Sequence, residues 1–77
     1  MPGRSLANLE VGESAAVAEV QGDGGVKVRI LEMGFVPGTP VRLVKRAPLG
    51  DPLQFELRGY HISLRRAEAA RVMVTRS

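Results

Sequence analysis

The chain has 77 residues, with 11 Lys and Arg against 8 Asp and Glu, and no Cys. This length suits a single domain, and the absence of Cys excludes disulfide bonds and thiolate metal sites as sources of its stability. Leu, Ile, Val and Phe number 22, above the level of about one-fifth below which chains tend to stay disordered. We therefore expect a folded domain whose core alone stabilises it, and the net charge of +3 only weakly favours acidic partners.

The hydropathy pattern argues against a membrane span. The longest uninterrupted apolar run covers residues 15–18, far short of the roughly 18 residues that a spanning helix needs. The N-terminus also lacks the charged and then apolar layout of a secretion signal. We expect a cytoplasmic protein without direct membrane insertion.

The first part of the chain predicts a turn and a strand. The turn covers residues 5–9 and is anchored by Leu6 and Leu9. A strand follows over 15–20, and the glycine-rich loop 21–25 ends it. This loop lacks the Lys-Ser/Thr ending of a Walker loop and the spacing of a dinucleotide fingerprint, so we predict no nucleotide site there.

The segment after this loop fits two structures. Val26, Val28 and Ile30 alternate with cations as they would in a strand. Residues 27–33 are good helix formers, and Gly34 stands where a C-terminal glycine cap belongs. Periodicity alone slightly favours the strand, but the composition and the cap favour a short helix, which is our prediction.

The clearest pattern lies in the second half of the chain. A strand over 40–46 precedes two segments, 53–57 and 60–64, in which apolar and polar residues alternate. The alternation slips by one at Gly59, as a tight hairpin with a two-residue loop of Arg58 and Gly59 requires. The predicted inner lining includes Phe55, Leu57, Tyr60 and Ile62.

The C-terminal residues predict a helical turn over 66–70 and a last strand over 71–74. Five short strands joined by Gly and Pro turns favour a closed barrel, because closure hides the edges of a small sheet. The predicted fold class is therefore mainly β: a small SH3-like barrel of about five strands with one short helix and one helical turn.

Catalytic residues are scarce in this sequence. A Ser-His-Asp set can be imagined from Ser63, His61 and Asp51. His61 and Ser63 stand two apart on an exposed strand, and nothing in the pattern buries or orients them as nucleophile activation demands. We predict that the protein is not an enzyme.

Two residues could provide part of the ligand set of a metal site. His61 is the single nitrogen ligand, and Glu56 would lie near it across the predicted hairpin. Stable holding of iron or zinc needs three or four protein ligands, so this site would be weak, transient or shared with another chain. A solvated histidine is the plainer interpretation, and we predict no tightly bound cofactor.

Nucleic-acid binding is the alternative function, since phosphate contacts need only cations. The aromatic residues do not favour it, because Phe55 and Tyr60 fall on the inward phase and leave only Phe35 free to stack a base. The cations that can share the outer surface are Arg42, Lys45, Arg46, Arg58, Arg65, Arg66 and Arg71.

The apolar residues at 31–38 are the most distinctive feature. We expect Leu31 and Met33 to plug one end of the barrel. Phe35 and Val36 stand at the Pro-Gly turn, where exposure as an apolar contact patch for a partner is the second interpretation.

Three segments, 29–41, 47–52 and 59–69, resemble the FeoA family in the right order over nearly the whole chain. The resemblance implies a single FeoA-type domain over 1–77, an SH3-like barrel and a helix near 25–33. It also implies a role in bacterial ferrous iron uptake. Members of this family are small cytoplasmic proteins that accompany FeoB, the membrane iron permease with a cytosolic GTP-binding domain, and support or regulate it through protein contact.

The same fold occurs in the C-terminal domain of metal-dependent repressors of the diphtheria toxin repressor type, so a regulator-type domain is a further alternative. Because the sequence starts at Met1 without DNA-binding helices upstream, we expect the stand-alone transport component. The chain could also form an oligomer.

The resemblance supplies no catalytic or metal-ligand motif to carry over. From the residues themselves, we predict Phe35, Val36 and Pro37 as apolar contacts with the partner. Arg42 or Arg58 would steer an acidic face of the partner towards them.

Overall fold

The computed structural model describes residues 4–76 of the chain. They form six antiparallel strands in one sheet, with two short α-helices and a 3₁₀ turn over Leu6–Asn8. The strands are β1 (Arg4–Ser5), β2 (Ser14–Val20), β3 (Pro40–Arg46), β4 (Leu53–Leu57), β5 (Tyr60–Leu64) and β6 (Val72–Arg76); the helices are α1 (Gly24–Glu32) and α2 (Arg66–Ala69). The predicted mainly β fold, with a helix near 25–33 and a helical turn near 66–70, is confirmed.

The strands are ordered β1-β6-β2-β3-β4-β5. The outer strands β1 and β5 share no ladder within residues 4–76, and α2 fills the gap because it contacts both β5 and the 3₁₀ turn. This cover closes the barrel around one core. No helix within the described range is long and apolar enough to cross a bilayer.

Strand β1 is the element that the sequence analysis missed. It contains only two residues, too few for an alternating pattern, and it forms because Arg4 and Ser5 pair with Val74 and Met73 of β6. The Arg4 guanidinium also binds the Glu13 carboxylate at 2.6 Å. Hydrogen bonding to Glu13 raises the pKa of Arg4 above its usual value.

Helix α1 ends in the hydrogen-bond pattern of a Schellman cap. Gly34 has a φ of +111°, and its N–H donates to the Leu31 carbonyl at 3.0 Å. The N–H of Phe35 donates to the Ile30 carbonyl at 3.4 Å. Such a cap turns the residue after the glycine back onto the last turn of the helix, and Phe35 and Ile30 accordingly are both fully buried.

The expectation that Phe35 is exposed is therefore wrong. Its ring lies edge-on to Phe55, with centroids 6.1 Å apart and an interplanar angle of 84°. Leu31 and Met33 pack against the same core, as predicted. The other large side chains buried there include Leu6, Leu9, Leu43, Leu53, Leu57, Leu64, Val41 and Val72.

The β4–β5 hairpin has the predicted register, with Leu57 opposite Tyr60. Arg58 and Gly59 form its tip with φ values of +52° and +83°, the signs of a type I′ turn.

The predicted inner lining is correct at Phe55 and Leu57, while Ile62 is half-buried and packs against the core. Tyr60 was predicted to point inward and is instead 42% exposed. It starts the edge strand, and its hydroxyl donates to the Met33 carbonyl at 2.6 Å beyond the end of α1, which holds the ring at the surface.

Candidate functional site

A row of polar residues crosses four neighbouring strands on the outside of the barrel. Ser14 of β2 lies opposite Arg42 of β3, Arg42 opposite Glu56 of β4, and Glu56 opposite His61 of β5. The Glu56 carboxylate joins its two neighbours. One oxygen lies 2.6 Å from Arg42 Nη2 and the other lies 3.8 Å from His61 Nε2. We call these four residues the polar row.

The structure brings the two predicted metal ligands together, since His61 and Glu56 are a directly opposed pair. Glu56 already forms an ion pair with Arg42, however. The positive charge of the Arg42 guanidinium would repel a metal ion bound to the same carboxylate. Within residues 4–76, no group of three or more His, Cys, Asp or Glu side chains could hold a metal ion. The arrangement therefore offers a divalent ion at most two ligands, fewer than a stable site needs.

An open groove of about 280 Å³ lies at the end of the sheet where β3 begins and β4 ends, and it shares Ser14, Arg42 and Glu56 with the polar row. It contains both arginines that the sequence analysis selected, and we call it the Arg42/Arg58 groove. Arg42 is held in place by Glu56. Arg58 is exposed at the hairpin tip, and its guanidinium has no hydrogen-bond or ion-pair partner among the described residues. The groove is lined by Ser14, Pro40, Val41, Arg42, Glu56, Leu57, Arg58 and Gly59.

The turn that carries the predicted apolar contacts leads into this groove. Pro37 is exposed and Val36 is half-buried, three and four residues before the groove residue Pro40. The turn is firmly held, because Thr39 N donates to the Val36 carbonyl at 3.1 Å and Gly38 N donates to a β2 carbonyl at 2.7 Å. Val36 and Pro37 thus remain candidates for partner contact. Phe35 does not, because its side chain is buried.

The structure does not assemble Ser63, His61 and Asp51. One oxygen of the Asp51 carboxylate accepts the Arg66 backbone N–H at 2.9 Å, so this acid fixes the start of α2. His61 is directed at Glu56. Asp51 and Ser63 line a different groove, together with Arg29, Pro52, Arg65 and Glu68, and His61 is not part of it.

The aromatic side chains are arranged differently from the prediction. Phe35, expected to be free to stack a base, is buried against Phe55, and the partly exposed aromatic is Tyr60. A single ring with a bonded hydroxyl makes a poor stacking platform. Of the seven cations expected outside, six are exposed, and Arg46 is half-buried and donates to the Leu9 carbonyl.

Comparison with known proteins decides the family. The family model of the FeoA domain matches residues 4–76. The chain belongs to the FeoA family. An Fe(2+) transport protein A/Fe(2+) transporter FeoB fusion protein of Porphyromonas gingivalis (strain ATCC BAA-308 / W83) is 44% identical over 69 residues, which are 90% of this FeoA chain and 8% of that relative. The chain thus spans only a small part of the curated relative that it matches.

Solved structures share the fold. The crystal structure of Stenotrophomonas maltophilia FeoA complexed with zinc, described as a procaryotic SH3 domain protein, has a TM-score of 0.82 and 36% identity, and the match covers 92% of this chain and 88% of that one. A manganese-dependent transcriptional repressor complexed with manganese has a TM-score of 0.88 at 17% identity, covering 100% of this chain and 38% of that one. The second likeness shows the fold alone. The predicted family and the SH3-like fold are confirmed.

Proposed function

We propose that this FeoA domain is a non-catalytic accessory or regulatory component of bacterial ferrous iron uptake. It acts in the cytoplasm by contact with the membrane permease FeoB, at the cytosolic GTPase domain. The observation that supports the proposal most is the Porphyromonas gingivalis fusion protein, in which Fe(2+) transport protein A and the Fe(2+) transporter FeoB are joined in a single chain. Linking two modules covalently raises their effective concentration and is useful when they work together.

The Arg42/Arg58 groove is the surface that we propose for this contact. Arg58 presents an exposed guanidinium that has no ion-pair partner among residues 4–76, and guanidinium groups form strong, planar hydrogen bonds with carboxylates. Arg42 is held by Glu56 at 2.6 Å, so its position is already set before a partner arrives. The neighbouring Val36 and Pro37 supply apolar area beside these charges. An acidic partner surface with an adjoining apolar patch fits this arrangement.

The His61–Glu56 pair supports a lesser proposal. It can offer a divalent transition metal ion such as iron or zinc two ligands, one of which is shared with Arg42. Any ion bound there would need further ligands from water or another molecule, so it would be held weakly and transiently. The related FeoA of Stenotrophomonas maltophilia was crystallised with zinc.

Replacing Arg58 with Gln should weaken binding to detergent-solubilised full-length FeoB by about three- to tenfold, mainly through slower association, because exposed interface charges act chiefly on the association rate. Biolayer interferometry with immobilised FeoB measures both rates. Arg71→Gln is the matched control, since it removes the same charge from an exposed residue outside the groove.

Two results would contradict the proposal: no binding by the unaltered chain, or equal weakening by Arg71→Gln. A steep loss of affinity for DNA or RNA with rising salt, in the absence of FeoB binding, would favour the nucleic-acid alternative instead. The regulator-type alternative rests on the shared fold alone.

A further inference from the structure

The loop over residues 47–52, which joins β3 to β4, displays a leucine to solvent. Leu49 is 96% exposed, whereas the other exposed large apolar residues within 4–76 lie between 38% and 56%. Single apolar residues on a surface are common and by themselves mean little. Leu49 differs because of how firmly its loop is held and what surrounds it.

Hydrogen bonds hold this loop in one shape. The Ala47 N–H donates to the Pro52 carbonyl at 3.0 Å, and the Gly50 N–H donates to the Ala47 carbonyl at 2.7 Å. The Asp51 carboxylate accepts the Arg66 N–H at 2.9 Å and so ties the loop to α2. A side chain on such a loop loses little backbone entropy when a partner binds it.

Leu49 stands beside a second apolar feature with a basic edge. Ala47, Pro48 and Pro52 form part of the wall of a groove of about 250 Å³, and Lys45 and Arg46 line the same groove. The Arg66 guanidinium approaches the other side of the loop, where a Cβ at Gly50 would lie 4.0 Å from it. The result is a rigid apolar projection and an adjoining groove, both bordered by cations.

We propose that Leu49 is an anchor residue that inserts into an apolar pocket with an acidic rim on a protein partner. This inference rests on the proposed function, which makes that partner FeoB. The loop lies at the end of β3 and the start of β4, opposite the end that holds the Arg42/Arg58 groove. FeoB would therefore contact the domain at two separate points, which increases affinity if both are engaged together.

A protein fits this surface better than the two other possible occupants. A second copy of the chain would bring the same cations, Lys45, Arg46 and Arg66, towards each other, and like charges repel. A bilayer would take up one leucine side chain, and even a whole acyl chain gives only marginal membrane binding.

The test compares Leu49→Ser with the unaltered chain in binding to full-length FeoB. We expect at least about tenfold weaker binding, since burial of a leucine corresponds to about ten- to a hundredfold in affinity. Thermal unfolding should not change, because the side chain is in water. Leu49→Met should restore most of the affinity, and Val11→Ser, at another exposed apolar residue, should leave it unaltered.

Equal affinity of Leu49→Ser and the unaltered chain would overturn this inference and leave the proposed function standing. Failure of the unaltered chain to bind FeoB would overturn both. The inference would also fall if Leu49→Ser left FeoB binding intact and instead abolished a dimer in analytical ultracentrifugation, or binding to phosphatidylserine vesicles.

Discussion

Replacing Phe35 with Ala is expected to lower the free energy of unfolding by about 3–5 kcal/mol, the usual cost of truncating a buried phenylalanine. The Phe35 side chain is fully buried and packs edge-on against Phe55. A domain of this size has only about 5–15 kcal/mol of stability, and small domains lie towards the lower end. The variant should therefore be partly unfolded at 37 °C.

Urea denaturation followed by circular dichroism measures this loss. Pro37→Ala is a suitable control, because Pro37 is exposed two residues further along the same turn and should change the midpoint little. If Phe35→Ala left the midpoint unchanged and weakened FeoB binding, Phe35 would be a surface contact after all.

Replacing Gly34 with Ala should cost about 2–3 kcal/mol. The φ of +111° strains any residue with a Cβ, which costs about 1–2 kcal/mol. The new Cβ would also lie 2.4 Å from the Tyr60 hydroxyl and 3.3 Å from a Leu57 methyl. Tyr60 would have to move and lose its 2.6 Å hydrogen bond to the Met33 carbonyl, worth about 1 kcal/mol.

Gly38→Ala separates the cost of backbone strain from the cost of displacing Tyr60. Gly38 also has a positive φ, of +94°, but a Cβ there would meet nothing within 4 Å, so only the backbone cost applies. In a double-mutant cycle, Tyr60→Phe removes the atom that the Cβ at Gly34 would strike, and the two losses should be less than additive. Equal costs for Gly34→Ala and Gly38→Ala would show that the close approach of Tyr60 has no energetic weight.

The sequence predicts which residues of two strands face each other only where the strands follow one another closely along the chain. Alternation through 53–57 and 60–64, with one slip at Gly59, determined the β4–β5 register and placed Glu56 beside His61. The link between Glu56 and Arg42 could not be predicted in this way. A longer loop joins β3 to β4, and the register shifts between Leu43 and Lys45, so the sequence pattern does not specify which residues face each other.

The burial of Phe35 can be predicted from the glycine that precedes it. The sequence correctly predicts that Gly34 caps helix α1, and this cap also determines where the next side chain lies. An apolar residue directly after a Schellman glycine packs back onto the helix, and this rule assigns Phe35 to the core. The Pro-Gly turn that follows suggests that the side chain of Phe35 is exposed. In the structure Val36 is half-buried and Pro37 is exposed there, whereas Phe35 is buried.

Tyr60 illustrates a limit of the alternating pattern itself. The phase predicts an inward side chain, but Tyr60 begins an edge strand, and its hydroxyl needs a hydrogen-bond partner. The Met33 carbonyl at the end of α1 provides one at 2.6 Å. That contact spans 27 residues of sequence and depends on where α1 packs, which no local pattern specifies.

Hydrogen–deuterium exchange of the chain bound to full-length FeoB tests the proposed contact most directly. The most informative segments are the hairpin tip at 58–59, which lies outside the strands and is open to exchange in the free protein, and the turn at 36–38, whose Val36 and Gly38 amides are hydrogen-bonded and exchange only when the turn opens. The proposed contact predicts that FeoB slows exchange in both segments. Unchanged exchange there, or protection confined to a distant loop such as residues 21–25, would contradict it.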